Sequence, residues 1–447
     1  MFKKYGLFIF HLTMPIISSG VTYRFGLALS GGGYRAAAFH LGTLRKLEEL
    51  GLLSKVDVLS TISGGSITGA AYALHSGSYA IFHDFMAAAL QRCSVIGYVL
   101  RSKVFIRFAL GLVGFLVLSG GLLFTRWAPL SVLPLGLGLW LILRFQFHLL
   151  PISREIEKAY NAYFFQDRTL GSLKEVPKLA IGSSNLETGR PFTFSRHWMG
   201  DSTYTYSEPA IRFVAETFPI ARAVTASSCV PFAFDPVSIT PPFFKNPEDY
   251  KRITPQLIDG GVYDNQGIQK LTQPKNRFAC DLIVASDAGG GMDFAGNYRN
   301  TAALLLRTVD LFMNRIKNVQ MAASLFQNVA SRNTPIAYLS LSWELSKCIP
   351  GFVTNMAHGN VLPQVLAARQ LLPAWIEHPK ENRAAIEEHL RKQVNYATIA
   401  ARDLTPDRLA LASGVQTNLT PLTPHQFNAL VQHAENLTEL QIKLYLP

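Results

Sequence analysis

Short apolar runs alternate with segments of helical periodicity near the start of the chain. Residues 23–29 and 56–62 are apolar enough for buried strands, and residues 36–50 repeat apolar side chains along one helical face. Residues 64–74 form a second helical segment, rich in small side chains. This β-α-β-α order predicts an α/β fold with a mainly parallel central sheet and right-handed crossovers, so the loops that follow the strands share one edge.

The same two patterns continue further along the chain. Residues 177–184 and 280–287 predict strands, and another strand ends at Asp259. Residues 219–229 predict a helix of small side chains, and the apolar spacing over 305–319 predicts an amphipathic helix packed on the sheet. Weaker patterns predict a strand and two helices in the C-terminal part: 336–341, 362–372 and 424–433.

Two long uncharged runs interrupt this alternation. Residues 108–125 and 127–143 carry no charge, and each approaches the ~17 to 25 residues that a membrane span needs. Arg126 and Trp127 mark the turn between them, while most nearby cations lie on the outer flanks. By the positive-inside rule we expect a membrane hairpin whose flanks, with the attached domain, lie on the cytoplasmic face. A buried helical pair and a hairpin that dips into one leaflet are the alternatives.

Changes in composition divide the chain into five parts. An N-terminal apolar segment, residues 1–22, begins with two lysines and is similar to a short signal peptide without an A-x-A site, so cleavage and membrane-surface attachment both stay open. Residues 96–155 contain the hairpin and separate two parts of one α/β domain, 23–95 and 156–345. A helical extension is expected over residues 346–447.

Composition and charge exclude several classes of protein. The four cysteines are far apart and form no C-x-x-C pair, which indicates buried thiols in a reducing compartment and neither a disulfide framework nor a metal site. The net charge is +12, but no block of lysine and arginine resembles a nucleic-acid surface. We therefore expect no nucleic acid as partner, and an anionic membrane surface instead. The oligomeric state is not indicated.

A serine stands at the turn between the second strand and its helix. The stretch reads Thr61-Ile62-Ser63-Gly64-Gly65, close to the G-x-S-x-G elbow that exposes a nucleophilic hydroxyl above a helix N-terminus. Ser63 is accordingly the candidate nucleophile. The simpler interpretation is an ordinary Ser-Gly-Gly turn that begins a helix.

Three consecutive glycines follow the first strand. Gly31, Gly32 and Gly33 expose successive backbone N–H groups, which can bind an anion or an oxyanion, and Arg35 adds a positive charge. The loop also satisfies G-x-G-x-x-A, the dinucleotide-binding pattern. That alternative requires an acidic residue at the end of the second strand, where this chain has Ser63. Arg35 in a surface ion pair is the alternative for the arginine.

Four stretches in this order resemble the patatin-like phospholipases: residues 29–35, 60–66, 223–231 and 259–265. The resemblance covers roughly residues 23–291 and implies a three-layer α/β domain. It implies a catalytic pair without histidine, with Ser63 as nucleophile and Asp259 as base. It also implies an oxyanion site at the glycine turns, formed by Gly31, Gly32, Gly33, Arg35 and Gly64. The sequence departs from the family pattern at Thr61 and Ala36, where glycines are usual.

Other titratable residues receive simpler interpretations. Asp287 is a second candidate base and is expected to cap a loop, while His40 is expected to be a packed residue. His425 and His433 are the late histidines that suit a Ser-Asp-His order, and they lie in a polar helical stretch that we expect to be solvated.

The expected function is that of a membrane-associated serine acyl hydrolase. The resemblance implies that it cleaves fatty acyl esters of phospholipids or lysophospholipids through an acyl-Ser63 intermediate, with Asp259 as base and without cofactor or metal. Membrane lipids are then both substrate and anchor. Three alternatives stay open: a neutral-lipid lipase or acyltransferase, an α/β-hydrolase that uses a histidine, and a catalytically silent membrane scaffold.

Overall fold

The computed structural model describes residues 23–290, 298–326, 329 and 333–447, so the predicted N-terminal segment 1–22 lies outside the described residues. Within them, nine strands form one mixed sheet. The strands are β1 Phe25–Leu29, β2 Val58–Ile62, β3 Lys178–Asn185, β4 Pro191–Ser195, β5 Trp198–Gly200, β6 Val237–Ser238, β7 Gln256–Asp259, β8 Leu282–Asp287 and β9 Ile336–Ser340.

Helices flank this sheet. From the start of the described chain to the middle they are α1 Gly33–Glu49, α2 Gly64–Leu74, α3 Tyr79–Arg92, α4 Val95–Leu100, α5 Lys103–Leu123, α6 Val132–Leu149, α7 Ile152–Tyr160, α8 Ser202–Thr205, α9 Ile220–Ser228, α10 Gly261–Asp264, α11 Gln269–Thr272 and α12 Thr301–Met321. The C-terminal part adds α13 Leu345–Ala357, α14 Pro363–Ala368, α15 Pro373–Glu377, α16 Arg383–Gln393, α17 Tyr396–Ala400, α18 Pro406–Ser413 and α19 Pro424–Tyr445.

The strand order is β5-β4-β3-β2-β1-β8-β9, with β7 paired to β3 and β6 to β7. Strands β3, β2, β1, β8 and β9 are parallel to one another, whereas β4 and β5 form an antiparallel edge. The predicted mainly parallel sheet is therefore confirmed. Its parallel strands are buried, as expected for a sheet covered by helices.

Strand β7 explains how distant parts of the chain meet. Strand β3 is longer than β2, so the parallel pairing ends where Ile62 lies opposite Gly182. From the next residue, Ser183, β3 pairs instead with β7, which runs antiparallel and places Asp259 opposite Ser183. The ends of β2 and β7 thus meet along one edge of β3, which brings the residue after Ile62 next to Asp259.

The C-terminal helix α19 packs against α1 and belongs to the core. The expectation that its polar residues are solvated was wrong for His433, which is buried, and right for His425, which is exposed. Two buried polar side chains on α19 bond to carbonyls distant in sequence: Asn436 donates to the carbonyl of Arg402, and His433 bonds the carbonyl of Leu341 through Nε2. Hydrogen bonds to these distant partners compensate the free-energy cost of burying polar side chains. The partners cannot be recognised from the sequence pattern of the helix itself.

Helix α12 is not buried on the sheet as predicted, because none of its residues is buried. Its C-terminal half reaches the sheet through Lys317, which pairs with Asp287 of β8, and Met321, which packs against the core. The helix also lies against α10, where Gln320 donates to the carbonyl of Tyr263 at 3.0 Å. Its amphipathic pattern leaves large apolar side chains exposed: Leu304, Leu305, Leu306, Leu311, Phe312 and Val319.

The two apolar runs form a helical hairpin, α5 and α6. Candidate spans at Lys103–Leu123 and Ala128–Phe165 have mean hydropathies of 2.0 and 1.6, and only 6% and 11% of their most apolar windows are buried. The alternative of a buried core pair was therefore wrong, since the hairpin contributes almost nothing to the core. Two exposed apolar helices suggest membrane association.

Candidate active site

Ser63 occupies a strained turn between β2 and α2. Its backbone has φ 48° and ψ −118°, a conformation that residues other than glycine rarely adopt. The neighbouring Gly65 approaches the first strand so closely that a Cβ there would lie 2.5 Å from the carbonyl oxygen of Leu29. The sharp strand-to-helix turn predicted from the sequence is therefore present, and it sets the serine apart from both elements.

Asp259 ends β7 beside this turn. The carboxyl is buried and accepts the N–H of Gly261 at Oδ1 over 2.7 Å, and the side chain of Ser63 lies near enough to influence its ionisation. Burial raises the pKa of Asp259 to about 6, and the N–H of Gly261 and the side chain of Ser63 oppose that rise. The fold thus brings together the two residues predicted as nucleophile and base.

Thr61, which replaces the usual first elbow glycine, is accommodated by the helix that follows. Its hydroxyl accepts a hydrogen bond from Ser66 at 3.0 Å. Its methyl group faces Gly69, where a Cβ would lie 2.5 Å from Thr61 Cγ2. The missing side chain at Gly69 therefore makes room for the threonine, and strand and helix remain closely packed.

The triple-glycine turn lies against Ser63. Gly32 and Gly33 have φ angles of 140° and 58°, which favour glycine. A Cβ at Gly31 would lie 3.2 Å from Ser63 Cβ, and a Cβ at Gly64 would lie 2.1 Å from the carbonyl oxygen of Gly33. The N-termini of α1 and α2 thus converge on the serine, an arrangement that concentrates positive backbone dipoles.

Two members of the predicted oxyanion site have other bonds. The N–H of Gly31 donates to the carbonyl of Asn265 at 2.9 Å, so it is already engaged. Arg35 is buried and donates to the carbonyls of Ala288 and Val415 at 3.1 and 3.0 Å. These contacts tie the glycine turn to the loop after β8 and to the C-terminal part, and the burial of Arg35 contradicts the surface position considered for it.

Two polar residues that the sequence analysis did not single out also contact the serine turn. Ser227 accepts the backbone N–H of Ser63 at 2.9 Å and donates to the carbonyl of Gly182 at 2.6 Å. The Oδ1 atom of Asn265 lies where a Cβ on Gly31 would collide with it, at 2.3 Å. Both residues lie within the four stretches that resemble the patatin-like phospholipases, and that location was the only indication of their importance in the sequence. Their spacing did not predict that they contact the serine turn.

The alternative bases have structural partners. Asp287 forms an ion pair with Lys317 at 2.6 Å, accepts the Tyr338 hydroxyl and caps the loop at Gly289, as expected for a capping residue. His40 bonds Ser286 and the carbonyl of Ser30, and burial lowers its pKa to about 4, in agreement with a packed role. The bonds described for His40 and His433 reach neither Ser63 nor Asp259.

The family model for the patatin-like phospholipases matches residues 27–271, which is more than half of the 447-residue chain. The chain therefore belongs to the patatin-like phospholipase family, as the four sequence stretches predicted. Membership in this family supports hydrolysis of lipid esters. A comparison with curated protein sequences gives no match.

Several solved structures are similar to this chain at low identity. Human GIVD cytosolic phospholipase A2 is 15% identical with a TM-score of 0.39, and the match covers 66% of this chain and 48% of that one. Its complex with methyl gamma-linolenyl fluorophosphonate and terbium chloride is 14% identical, with a TM-score of 0.43 and coverage of 94% and 58%. VipD from Legionella pneumophila is 12% identical, with a TM-score of 0.32 and coverage of 93% and 91%. The chain spans about half the length of the human structures.

Proposed function

We propose that this protein is a membrane-associated serine acyl hydrolase that cleaves fatty acyl esters of phospholipids or lysophospholipids. The observation that carries the proposal is that the strained turn places Ser63 beside the buried carboxyl of Asp259, where the ends of β2 and β7 meet on β3. A neutral serine is a poor nucleophile and needs an adjacent base. A carboxylate whose pKa is raised to about 6 is a stronger base than an ordinary aspartate and remains ionised at neutral pH.

The reaction follows from this pair. Asp259 accepts the hydroxyl proton while Ser63 Oγ attacks the ester carbonyl, and a tetrahedral oxyanion forms. The oxyanion collapses, the ester bond breaks, and the leaving alcohol takes the proton from Asp259. Water, deprotonated by Asp259, then attacks the acyl-serine, the bond between the acyl carbon and Ser63 Oγ breaks, and Asp259 returns the proton to Ser63 Oγ as the fatty acid is released.

The glycine turns supply the stabilisation of the oxyanion in this proposal. With the N–H of Gly31 engaged by Asn265, we assign the donors to Gly32, Gly33 and Gly64, at the two converging helix ends. Each well-placed donor contributes about 3 to 4 kcal/mol to the transition state. Arg35 positions this turn through its carbonyl contacts.

The hairpin supports a lipid substrate held at a membrane. Its two helices expose apolar side chains along most of their length, and the cations gather on its outer flanks. We propose that it inserts into the bilayer and keeps the catalytic domain at the cytoplasmic surface, where long-chain lipids are concentrated.

The test measures fatty acid release from mixed phospholipid vesicles by the full-length protein, with products identified by mass spectrometry. Ser63→Ala is compared with wild type, and Ser54→Ala, at an exposed serine, is the matched control. We expect release by wild type and the control and none by Ser63→Ala. Release by all three proteins would exclude Ser63 as nucleophile, and release by none would favour the silent scaffold. Products from triacylglycerol alone would favour the neutral-lipid lipase.

A further inference from the structure

A cavity separate from the Ser63 turn lies at the base of the hairpin. Its volume is about 410 Å³, within the range of roughly 300 to 1,000 Å³ usual for small-molecule sites. Helices α4 and α7 and the first turn of α5 surround it. The lining residues are Tyr98, Arg101, Ser102, Lys103, Val104, Glu155, Lys158 and Tyr163.

Positive charge dominates this cavity. Arg101, Lys103 and Lys158 line it, against the single carboxylate of Glu155. Glu155 is buried and already paired with Lys158 at 2.6 Å. Within the described part of the chain, neither Arg101 nor Lys103 has a carboxylate at ion-pair distance, so two positive charges are left without a countercharge.

The start of α5 adds backbone donors to these side chains. Ser102 caps the helix and accepts the N–H of Phe105 at 3.1 Å, and Lys103 is the first helical residue. The positive end of the helix dipole therefore coincides with the unpaired cations. Tyr98 and Tyr163 form another wall, with ring centroids 5.9 Å apart in an edge-to-face arrangement.

We propose that this cavity binds the phosphate of an anionic lipid headgroup. The position favours a lipid as source, because α5 begins at the cavity and is apolar beyond its first turns, so the cations lie where an inserted hairpin meets the headgroup layer. This inference rests on the proposed membrane insertion and does not require the proposed hydrolysis. A soluble phosphate ester has the same chemistry, and the experiment separates the two sources.

The experiment uses the full-length protein in neutral detergent micelles, carrying Ser63→Ala so that bound lipid is not hydrolysed. The probe is dioctanoyl phosphatidic acid, and its Kd is measured by microscale thermophoresis. Arg101→Ala combined with Lys103→Ala removes both unpaired cations, which are exposed, so the fold is expected to persist. Lys55→Ala combined with Lys380→Ala is the matched control, because it removes two exposed cations that do not line the cavity.

We expect the cavity variant to bind at least about tenfold more weakly than the parent, and the control to bind like the parent. Unchanged binding by the cavity variant, or an equal loss in the control, would overturn the proposal. A variant with an altered thermal midpoint is replaced by Arg101→Gln alone, for which weaker binding is again required.

Two further probes identify the source of the phosphate. Dioctanoyl phosphatidylcholine is expected to bind all variants alike, because its headgroup carries no net charge. Glycerol 3-phosphate that binds as tightly as the lipid would overturn the assignment to a lipid and indicate a soluble phosphate ester. Fatty acid release by the protein with Ser63 intact is measured separately, so a failure of the proposed hydrolysis is distinguished from a failure of headgroup binding.

Discussion

At the scale of single residues, burial of the Asp259 carboxyl affects both its strength as a base and the stability of the folded protein. It is buried at the end of β7, and burial raises its pKa from 3.8 to about 6. The raised pKa makes the carboxylate a better proton acceptor, but it also means that the folded protein holds an ionised group in an unfavourable place. Activity and stability are therefore both expected to depend on pH through this residue.

The first prediction concerns activity. Asp259 accepts a proton only when ionised, so kcat/KM for a soluble short-chain ester should be constant above pH 7 and fall about tenfold per pH unit well below pH 6. A p-nitrophenyl butyrate assay between pH 4.5 and 8.5 measures this profile. A flat profile through pH 6 would exclude Asp259 as the base, provided that the protein stays folded over that range.

The second prediction concerns stability. Because the folded pKa is raised, the folded state binds the proton more tightly than the unfolded state, and stability falls as pH rises from 3.8 to about 6. Above pH 6 the full cost, ~3 kcal/mol, remains. Asp259→Asn removes it, so its thermal midpoint should exceed that of wild type at pH 8 and approach it near pH 4. Asp407→Asn, at an exposed position, is the control, and an equal shift at both pH values would contradict the argument.

The candidate nucleophile and base could be predicted from the sequence because both stand at strand ends, where a hydroxyl or a carboxylate before glycines is a recognisable pattern. Ser227 and Asn265 could not. Ser227 is one serine in a helix of small residues, and its importance lies in accepting the N–H of Ser63 from 164 residues away. The bond from Gly31 to the carbonyl of Asn265 likewise depends on the closed fold.

At the scale of elements, the third prediction concerns the packing of β2 on α2. Gly69→Ala places a methyl group within 2.5 Å of Thr61 Cγ2, which should destabilise the protein by about 1–3 kcal/mol and lower kcat by moving the serine turn. Thr61→Gly combined with Gly69→Ala removes the clash and should recover most of both losses. Thermal midpoints and ester hydrolysis of the two single variants and the double variant measure the coupling. Independent, additive effects would mean that the two side chains do not compete for the same space.

Helices and strands could be predicted from the sequence where the apolar positions of the pattern are the positions that the fold buries. The strands and helices from β1 to α2 lie within a few residues of their predicted bounds, since each buries one continuous apolar pattern. The same reasoning failed for α12 and α19, in opposite directions. Helix α12 has an apolar face that the structure leaves exposed, and α19 has polar residues that find partners in the core. Which face is covered depends on neighbours that local periodicity does not report.

At the scale of the whole molecule, the site exists because β7 completes the edge of β3 that β2 leaves open. The alternation of strands and helices predicted the parallel part of the sheet, in which loops share one edge. An antiparallel strand entering that edge from the opposite direction was not predictable, because a four-residue strand carries too little pattern to show its direction or its partner.

The last prediction concerns the orientation of the molecule in a membrane. If the hairpin crosses the bilayer, Thr125 at its tip and Ser54 in the catalytic domain lie on opposite sides. Cys93 is partly exposed, whereas the other three cysteines are buried, so Cys93→Ser removes the native thiol that could react. Thr125→Cys or Ser54→Cys is then introduced into this background. Intact cells are then treated with a membrane-impermeant maleimide. We expect Thr125→Cys to be labelled at once and Ser54→Cys only after permeabilisation, because the cations flanking the hairpin hold the catalytic domain at the cytoplasmic face.

A tip that stays protected after permeabilisation would indicate a hairpin that dips into one leaflet. Labelling of Ser54→Cys in intact cells would reverse the orientation.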